Sequence, residues 1–112
     1  MLPATAFDVA AFFAGSKTDY DMVRVDGIPV AMGAFHREGT RTWVFLNVKP
    51  HDDVPSIAIV RGLARGLRRR GGVIHCICDA EQFPNAPRLL RALGFRPTVE
   101  VRADKRVWEW QA

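Results

Sequence analysis

The stretch that decides the fold is residues 41–78, which read RTWVFLNVKPHDDVPSIAIVRGLARGLRRRGGVIHCIC. Arg41–Val48 is rich in β-branched and aromatic residues, and this composition predicts a strand. After a loop, apolar residues recur at the spacing of a helix, namely Ile57, Val60, Leu63, Ala64 and Leu67. A Gly-Gly pair ends that helix, and the apolar run Val73–Cys78 is typical of a strand that is covered on both faces. The order predicts two parallel strands joined by a right-handed helical crossover.

On the N-terminal side the pattern is that of an antiparallel meander. Met22–Asp26 and Ile28–His36 are predicted strands, and Asp26-Gly27 between them is a strong signal for a two-residue hairpin turn. A second turn precedes Arg41. Further upstream, residues 4–14 combine good helix formers with apolar residues, which predicts a first helix.

On the C-terminal side a second crossover helix and a hairpin are expected. The helix covers Asn85–Leu93, with Gly94 as its C-cap, and the hairpin strands are Thr98–Arg102 and Arg106–Trp110. The element order is therefore α-β-β-β-α-β-α-β-β. We expect one α/β domain over residues 1–112, with a mixed central sheet and helices on both faces.

Length and composition describe an ordinary globular protein. The chain has 112 residues, 48% of them hydrophobic and 25% charged, which is too apolar for a disordered segment. Cys76 and Cys78 are one residue apart, too close in a strand for an unstrained disulfide, so a disulfide framework is excluded. No stretch approaches the roughly 18 apolar residues of a membrane span. These features predict a cytoplasmic protein.

The chain is basic, with a formal net charge of +4 that arginine dominates. Phosphate-bearing partners are compatible with this charge. The arginine-rich helix carries no interleaved aromatic residues, however, so a nucleic-acid-binding role is not favoured. The simpler interpretation of Arg61, Arg65, Arg68, Arg69 and Arg70 is a solvated helix face.

Two further groups of residues have a structural interpretation. The run from His75 to Asp79 contains residue types that bind metals, but no second Cys/His cluster at zinc spacing accompanies it, so we expect no metal site. Trp43, Trp108 and Trp110 lie in predicted strands and are expected to pack in the core.

Two motifs carry a resemblance to a known family. Leu46-Asn47-Val48-Lys49-Pro50 stands at a strand end, and Arg91-Ala92-Leu93-Gly94-Phe95 closes the last helix. Together with the element order they resemble the GCN5-related N-acetyltransferase (GNAT) family, over residues from about 22 to 110. Residues 86–95 are similar to the family's A-x-x-x-Y-x-x-x-G-F segment. In its compactness the chain is most similar to short acetyltransferase-like proteins encoded in phages and prophages, which would place it in the host cytoplasm or in a virion.

The resemblance implies an acetyl-CoA site between two splayed parallel strands. The pantetheine arm would pair with the backbone of Leu46, Asn47 and Val48. The pyrophosphate would lie on the loop Asp53–Ala58, at the amides of Ser56, Ile57 and Ala58, with Arg61 one turn further along. Small residues stand there in place of the family's glycines, and two aspartates and Pro55 oppose phosphate binding, so weak binding of acetyl-CoA is expected.

The resemblance also implies a catalytic acid that this chain lacks. The family's tyrosine falls on Leu90, which has no proton to give, and the family's asparagine falls on Phe83, with Asn85 close by. His36 and Asp79, near strand ends, are candidates for the catalytic base by residue type.

Two functions remain open on this reading. The first is an acetyl-CoA-dependent N-acetyltransferase whose acceptor is an amine of a small molecule or a protein. The second is a catalytically inactive GNAT-like structural or interaction module, associated with a phage virion, whose partners would be phage structural proteins.

Overall fold

The computed structural model describes residues 18–48 and 56–112. These residues form six strands and two helices. The strands are β1 Thr18–Val25, β2 Ile28–Glu38, β3 Arg41–Val48, β4 Val73–Cys78, β5 Arg96–Arg102 and β6 Lys105–Gln111. The helices are α1 Ser56–Arg70 and α2 Ala86–Leu93. The helix expected over residues 4–14 lies outside the described residues.

The six strands form one mixed sheet in the order β1-β2-β3-β4-β6-β5. β3 and β4 are parallel, as the strand–helix–strand pattern predicts, and the other neighbours are antiparallel. The mixed α/β fold expected from the sequence is therefore confirmed. Both helices in the described ranges lie on one face of the sheet, so the helix expected on the other face is not among the described residues. None of the helices in the described ranges is long and apolar enough to cross a bilayer.

The predicted hairpin turn at Asp26-Gly27 is confirmed. Asp26 has φ 52° and Gly27 has φ 80°, the left-handed conformation that a two-residue turn of this kind requires at both positions. Ala103 and Asp104 adopt the same conformation between β5 and β6, with φ 51° and 62°. No glycine marks that second turn, so the pattern placed the β6 start one residue late.

The strand boundary at the N-terminal end of the sheet differs from the prediction. β1 begins at Thr18 and not at Met22, because Asp19 and Asp21 lie within the strand. Aspartate is rare in strands, and its presence here has a tertiary cause. Both carboxylates accept hydrogen bonds from the guanidinium of Arg70 at the end of α1.

The face that α1 buries is shifted relative to the predicted one. Ile59, Leu63 and Leu67 are buried, whereas Ile57 is 57% exposed, so its assignment to the buried face was wrong. Val60 and Ala64 lie at the margin of the core. The shift follows from Gly62 and Gly66, which lie on the side of the helix away from Ile57. Because they have no side chain, this side approaches the sheet most closely.

Gly62 and Gly66 set the contact between α1 and β1. A Cβ atom at Gly62 would lie 2.6 Å from both γ-carbons of Val23, and one at Gly66 would lie 2.6 Å from Oδ2 of Asp21. Only glycine permits this approach of helix to sheet. Arg70 is drawn into the same contact, where its guanidinium stacks 3.8 Å from the ring centroid of Phe35. Arg70 is thus half-buried, which corrects its assignment to a solvated face.

The core lies between the sheet and the two described helices, which pack against each other on one face of it. Trp108 and Trp110 of β6 are buried there beneath α2, and Trp43 is buried on the opposite face, as expected for the three tryptophans. Gly94 has φ 100° and caps α2 as predicted, since its N–H donates to the carbonyl of Arg91.

Candidate functional site

The sheet divides into two halves between β3 and β4. The two strands pair at only two positions, Thr42 with Ile74 and Trp43 with His75. Beyond them β3 continues against β2 as far as Val48, and β4 continues against β6 as far as Cys78. The parallel neighbours therefore separate after Trp43 and His75, and the gap opens toward their C-terminal ends.

This gap separates β3 from β4 along the second half of β3. In a strand, alternate residues direct their N–H and C=O groups to the same side. Over residues 44–48 one side of β3 is paired with β2, and among the described strands none pairs with the side that faces the gap. Leu46, Asn47 and Val48, the residues singled out in the sequence, lie at the open end of β3.

The N-terminus of α1 follows the open end of β3. The helix begins at Ser56, so the amides of Ser56, Ile57 and Ala58 have no acceptor within the helix. These free N–H groups and the helix dipole together favour an anion. Arg61 is exposed one turn further along. The sequence thus brings its predicted cofactor residues to one end of the molecule, while Asp52, Asp53 and Pro55 lie outside the described residues.

The point where the strands part carries a group of side chains that sequence reasoning did not assign to a site. His75 Nε2 lies 3.5 Å from a carboxylate oxygen of Glu109, directly opposite on β6. The His75 and Trp43 ring centroids are 5.5 Å apart. His75 Nδ1 and Trp43 Nε1 are both buried, and neither has a hydrogen-bond partner within residues 18–48 and 56–112. These residues are close together only because of the strand register, so their spacing along the chain could not predict the cluster.

Two arginines and a glutamate close over Trp43. The guanidinium carbons of Arg41 and Arg102 each lie 4.6 Å from the Trp43 ring centroid. Glu100 accepts two hydrogen bonds from Arg41, at 2.7 and 2.8 Å. This pairing lowers the pKa of Glu100 to about 2. The ion pairs tie β5 to β3 across the sheet face that carries His75.

The two predicted base candidates occupy different ends of the gap. Asp79 follows β4 at the open end, where one carboxylate oxygen accepts a hydrogen bond from the Gln82 amide, 3.1 Å away. His36 is paired with Trp43 in the β2–β3 register and so lies at the closed end. The structure does not bring the two together.

The segment that resembles the family's helix is a structural element here. Leu90, at the position of the family's tyrosine, is 2% exposed and packs in the core. Phe83 is 57% exposed. Asn85 is the N-cap of α2, but its side chain makes no capping hydrogen bond.

The two cysteines are buried and unpaired, on the helix-facing side of β4. Burial raises the pKa of Cys76 to about 12, and it also raises the pKa of Cys78. Within the described part of the chain, no group of three or more His, Cys, Asp or Glu side chains is placed to hold a metal ion.

A groove of about 470 Å³ lies elsewhere, between the two helices and the end of β6. Ala64, Arg68, Leu93 and Trp110 line it. It is wide open to solvent and carries no convergent set of polar groups, so the gap between β3 and β4 is the stronger candidate site.

Comparison by sequence identifies no relative. No protein-family model matches the chain, and no curated protein matches it.

Comparison by structure gives a consistent fold. A domain from Methanocaldococcus jannaschii matches with a TM-score of 0.65 and 13% identity, over 100% of this chain and 79% of that one. A protein from Desulfovibrio desulfuricans, described as a GNAT-family acetyltransferase, matches with a TM-score of 0.63 and 12% identity, over 93% and 75%. N-acetylglutamate synthase from Neisseria gonorrhoeae, crystallised with coenzyme A and N-acetyl-glutamate, matches with a TM-score of 0.59 and 13% identity, over 98% of this chain and 28% of that one. The chain has the fold of GNAT acetyltransferases.

Proposed function

We propose that the protein is an acetyl-CoA-dependent N-acetyltransferase that acts on an amine. The observation that carries this proposal is the separation of β3 and β4 after only two paired positions. Such a gap exposes a strand edge inside the sheet, where it can pair with an extended amide-containing arm. A structural module has no need of this break, since every lost ladder hydrogen bond reduces the stability of the sheet.

The residues around the gap fit an acyl-CoA. The gap-facing side of β3 near Leu46 and Val48 offers donors and acceptors for the two amides of a pantetheine arm. The amides of Ser56, Ile57 and Ala58, which have no acceptor within the helix, offer a site for its pyrophosphate together with the guanidinium of Arg61. Bound there, acetyl-CoA would supply an activated acetyl group as a thioester.

The chain's own residues would manage the proton of the acceptor amine. His75 stands where the strands part, and a hydrogen on Nε2 directed at Glu109 leaves a lone pair on Nδ1. That lone pair can accept a proton, and because Nδ1 is buried, an attacking amine would reach it through a bridging water or after the strands part further. Asp79 is the alternative base, but its carboxylate already caps the turn that follows β4. We therefore favour His75 over Asp79 and His36.

One observation favours the second function, an inactive module with protein partners such as those of a phage virion. Leu90 fills the position of the family's catalytic acid and is buried in the core. A departing thiolate would then take its proton from solvent. The missing catalytic acid therefore lowers the expected rate of acetyl transfer. It favours the inactive module only if acetyl-CoA also fails to bind between the strands.

Turnover with a panel of primary amines tests the proposal. Release of the CoA thiol from acetyl-CoA should depend on both protein and amine. His75→Asn should lower the rate by about 10²–10⁴, the usual contribution of a general base, with unchanged affinity for acetyl-CoA. Arg96→Gln, on an exposed side chain of β5, is the control. Acetyl-CoA binding without turnover on any amine would favour the inactive module.

A further inference from the structure

The two helices of the described residues, α1 and α2, carry positively charged side chains and no acidic ones. α1 has five arginines and α2 has two, and neither helix contains an aspartate or a glutamate. The two helices pack against each other, so their outer faces form one continuous surface.

Several of these arginines have no counter-ion among the residues that the structure describes. Arg61, Arg65 and Arg68 on α1 are exposed, and no acidic side chain of residues 18–48 or 56–112 pairs with them. The same is true of Arg88 on α2. We call these four side chains the arginine surface.

The other arginines of the layer are accounted for by structure. Arg69 and Arg70 pair with Asp21. Arg91 lies with its guanidinium carbon 5.3 Å from the Trp108 ring centroid. Arg68 stands in the last turn of α1, where the helix dipole favours a cation, but Arg61 and Arg65 are too far from that end to be explained in the same way.

The acidic groups of the described sheet are engaged elsewhere. Asp19 and Asp21 of β1 bind Arg70, Glu100 binds Arg41, Glu38 binds Arg102, and Glu109 faces His75. Those at the edge of the helical layer thus meet Arg69 and Arg70, and none of the described ones pairs with the arginine surface.

The arginine surface also has a regular geometry. Arg61, Arg65 and Arg68 follow one another at spacings of four and three residues, so they share one face of the helix. At 1.5 Å per residue they extend over about 10 Å. Arg65 and Arg68 lie roughly 14–18 Å from the first residue of α1. They are thus beyond the end of the helix where the pyrophosphate of an acyl-CoA is proposed.

We infer that the arginine surface binds the phosphate backbone of a nucleic acid. A row of unpaired cations without apolar groups between them suits a polymer of regularly spaced phosphates. The lack of interleaved aromatic residues, for which the sequence did not favour a nucleic-acid role, argues only against stacking on bases, because phosphate contacts need no aromatic residues. This inference does not depend on the acetyltransferase proposal.

Two other anionic partners fit the surface less well. A membrane-bound helix needs a continuous exposed apolar face, and α1 exposes a single large apolar side chain, Ile57, while Ile59, Leu63 and Leu67 are buried against the sheet. An acidic protein partner would be expected to meet an apolar centre within the patch, and the outward face of the helix between Arg61 and Arg68 has none.

Fluorescence anisotropy with labelled nucleic acid tests the inference. The probes are a DNA duplex of about 20 base pairs and a single-stranded RNA of similar length, titrated with the full chain. With about three phosphate contacts, the association constant should fall roughly 40-fold between about 50 and about 200 mM salt. The double variant Arg65→Glu/Arg68→Glu should bind at least about tenfold more weakly at the lower salt concentration.

The control variant changes the net charge by the same amount as the double variant, but at positions outside the helices. Arg24→Glu/Arg96→Glu alters two exposed arginines of β1 and β5 and should bind nearly as well as the wild type. Far-ultraviolet circular dichroism verifies that both variants fold. Equal losses in the two variants would overturn the inference, because they would reflect net charge alone. No binding at low salt, or tighter binding to polyglutamate or to phosphatidylserine vesicles than to either nucleic acid, would also overturn it.

Discussion

At the scale of single residues, two glycines and one arginine determine how α1 meets the sheet. Gly62 and Gly66 allow the helix to touch β1, and Arg70 then reaches Asp21. The acidic residues that looked out of place in a strand are the counter-ions of this arginine. A composition-based prediction could not find them, since Arg70 is 49 residues further along the chain from Asp21 and 51 from Asp19.

The contact at Gly62 gives the first prediction. An alanine in the middle of a helix normally stabilises by about 1 kcal/mol relative to glycine. In Gly62→Ala the new Cβ would lie 2.6 Å from Val23, whose branched side chain cannot rotate away. We expect a net destabilisation of about 1–3 kcal/mol in urea unfolding. The double variant Gly62→Ala/Val23→Ala should relieve the clash. A more stable Gly62→Ala would show that α1 does not approach β1 so closely.

Glu100 gives a prediction about pH. Its pKa of about 2, below the ordinary 4.5, is due first to the hydrogen bonds from Arg41. A carboxyl group whose pKa is lower in the folded state than in the unfolded state stabilises the fold at pH values above the unfolded pKa. This stabilisation is lost as the pH falls toward the folded-state pKa. The melting temperature of the wild type should therefore exceed that of Glu100→Gln near pH 6. The difference should shrink between about pH 4.5 and about pH 2. A constant difference over that range would contradict the ion pair.

At the scale of elements, the sequence predicts the strand–helix–strand unit because three different patterns coincide. Arg41–Val48 and Val73–Cys78 have the observed bounds, and glycines end both helices where expected. The prediction of which face of α1 is buried was less accurate, since Ile57 and Ile59 fit the helical periodicity of apolar residues almost equally well. Only the close contact at Gly62 decides between them.

The cluster of Trp43, His75 and Glu109 at the point where β3 and β4 separate could not be predicted from the sequence for a related reason. His75 and Glu109 are neighbours only because β6 pairs with β4, and Trp43 joins them only through the parallel register. None of these pairings is visible from local spacing. The cofactor residues, by contrast, were placed through the resemblance, which marks a strand end and a helix start.

The gap between β3 and β4 gives a prediction for hydrogen exchange. On the side of β3 that faces the gap, no described strand pairs beyond Trp43, so amides on that side should exchange faster than those that face β2. Acetyl-CoA should slow exchange in peptides that cover residues 44–48 and the start of α1. The β1–β2 hairpin is the internal control and should not change. Protection confined to that hairpin would place the ligand elsewhere.

At the scale of the whole molecule, the two faces of the sheet have separate roles in this account. One face carries the helices, the core and the arginine surface. The other carries the ion pairs over Trp43 and the His75–Glu109 pair. The proposed acyl-CoA site lies where the sheet itself divides, at the N-terminal end of α1.

Calorimetric titration with acetyl-CoA tests the central claim most directly. The free amides of α1 and the Arg61 guanidinium favour binding, and the departures from the family's phosphate loop oppose it, so we expect a Kd of about 10–100 µM. Loss of one charge-assisted hydrogen bond in Arg61→Ala should weaken binding about tenfold. Arg65→Ala, one turn further along the same face, should bind within about twofold of the wild type. No heat of binding at millimolar acetyl-CoA, or equal affinity of Arg61→Ala and the wild type, would contradict the account.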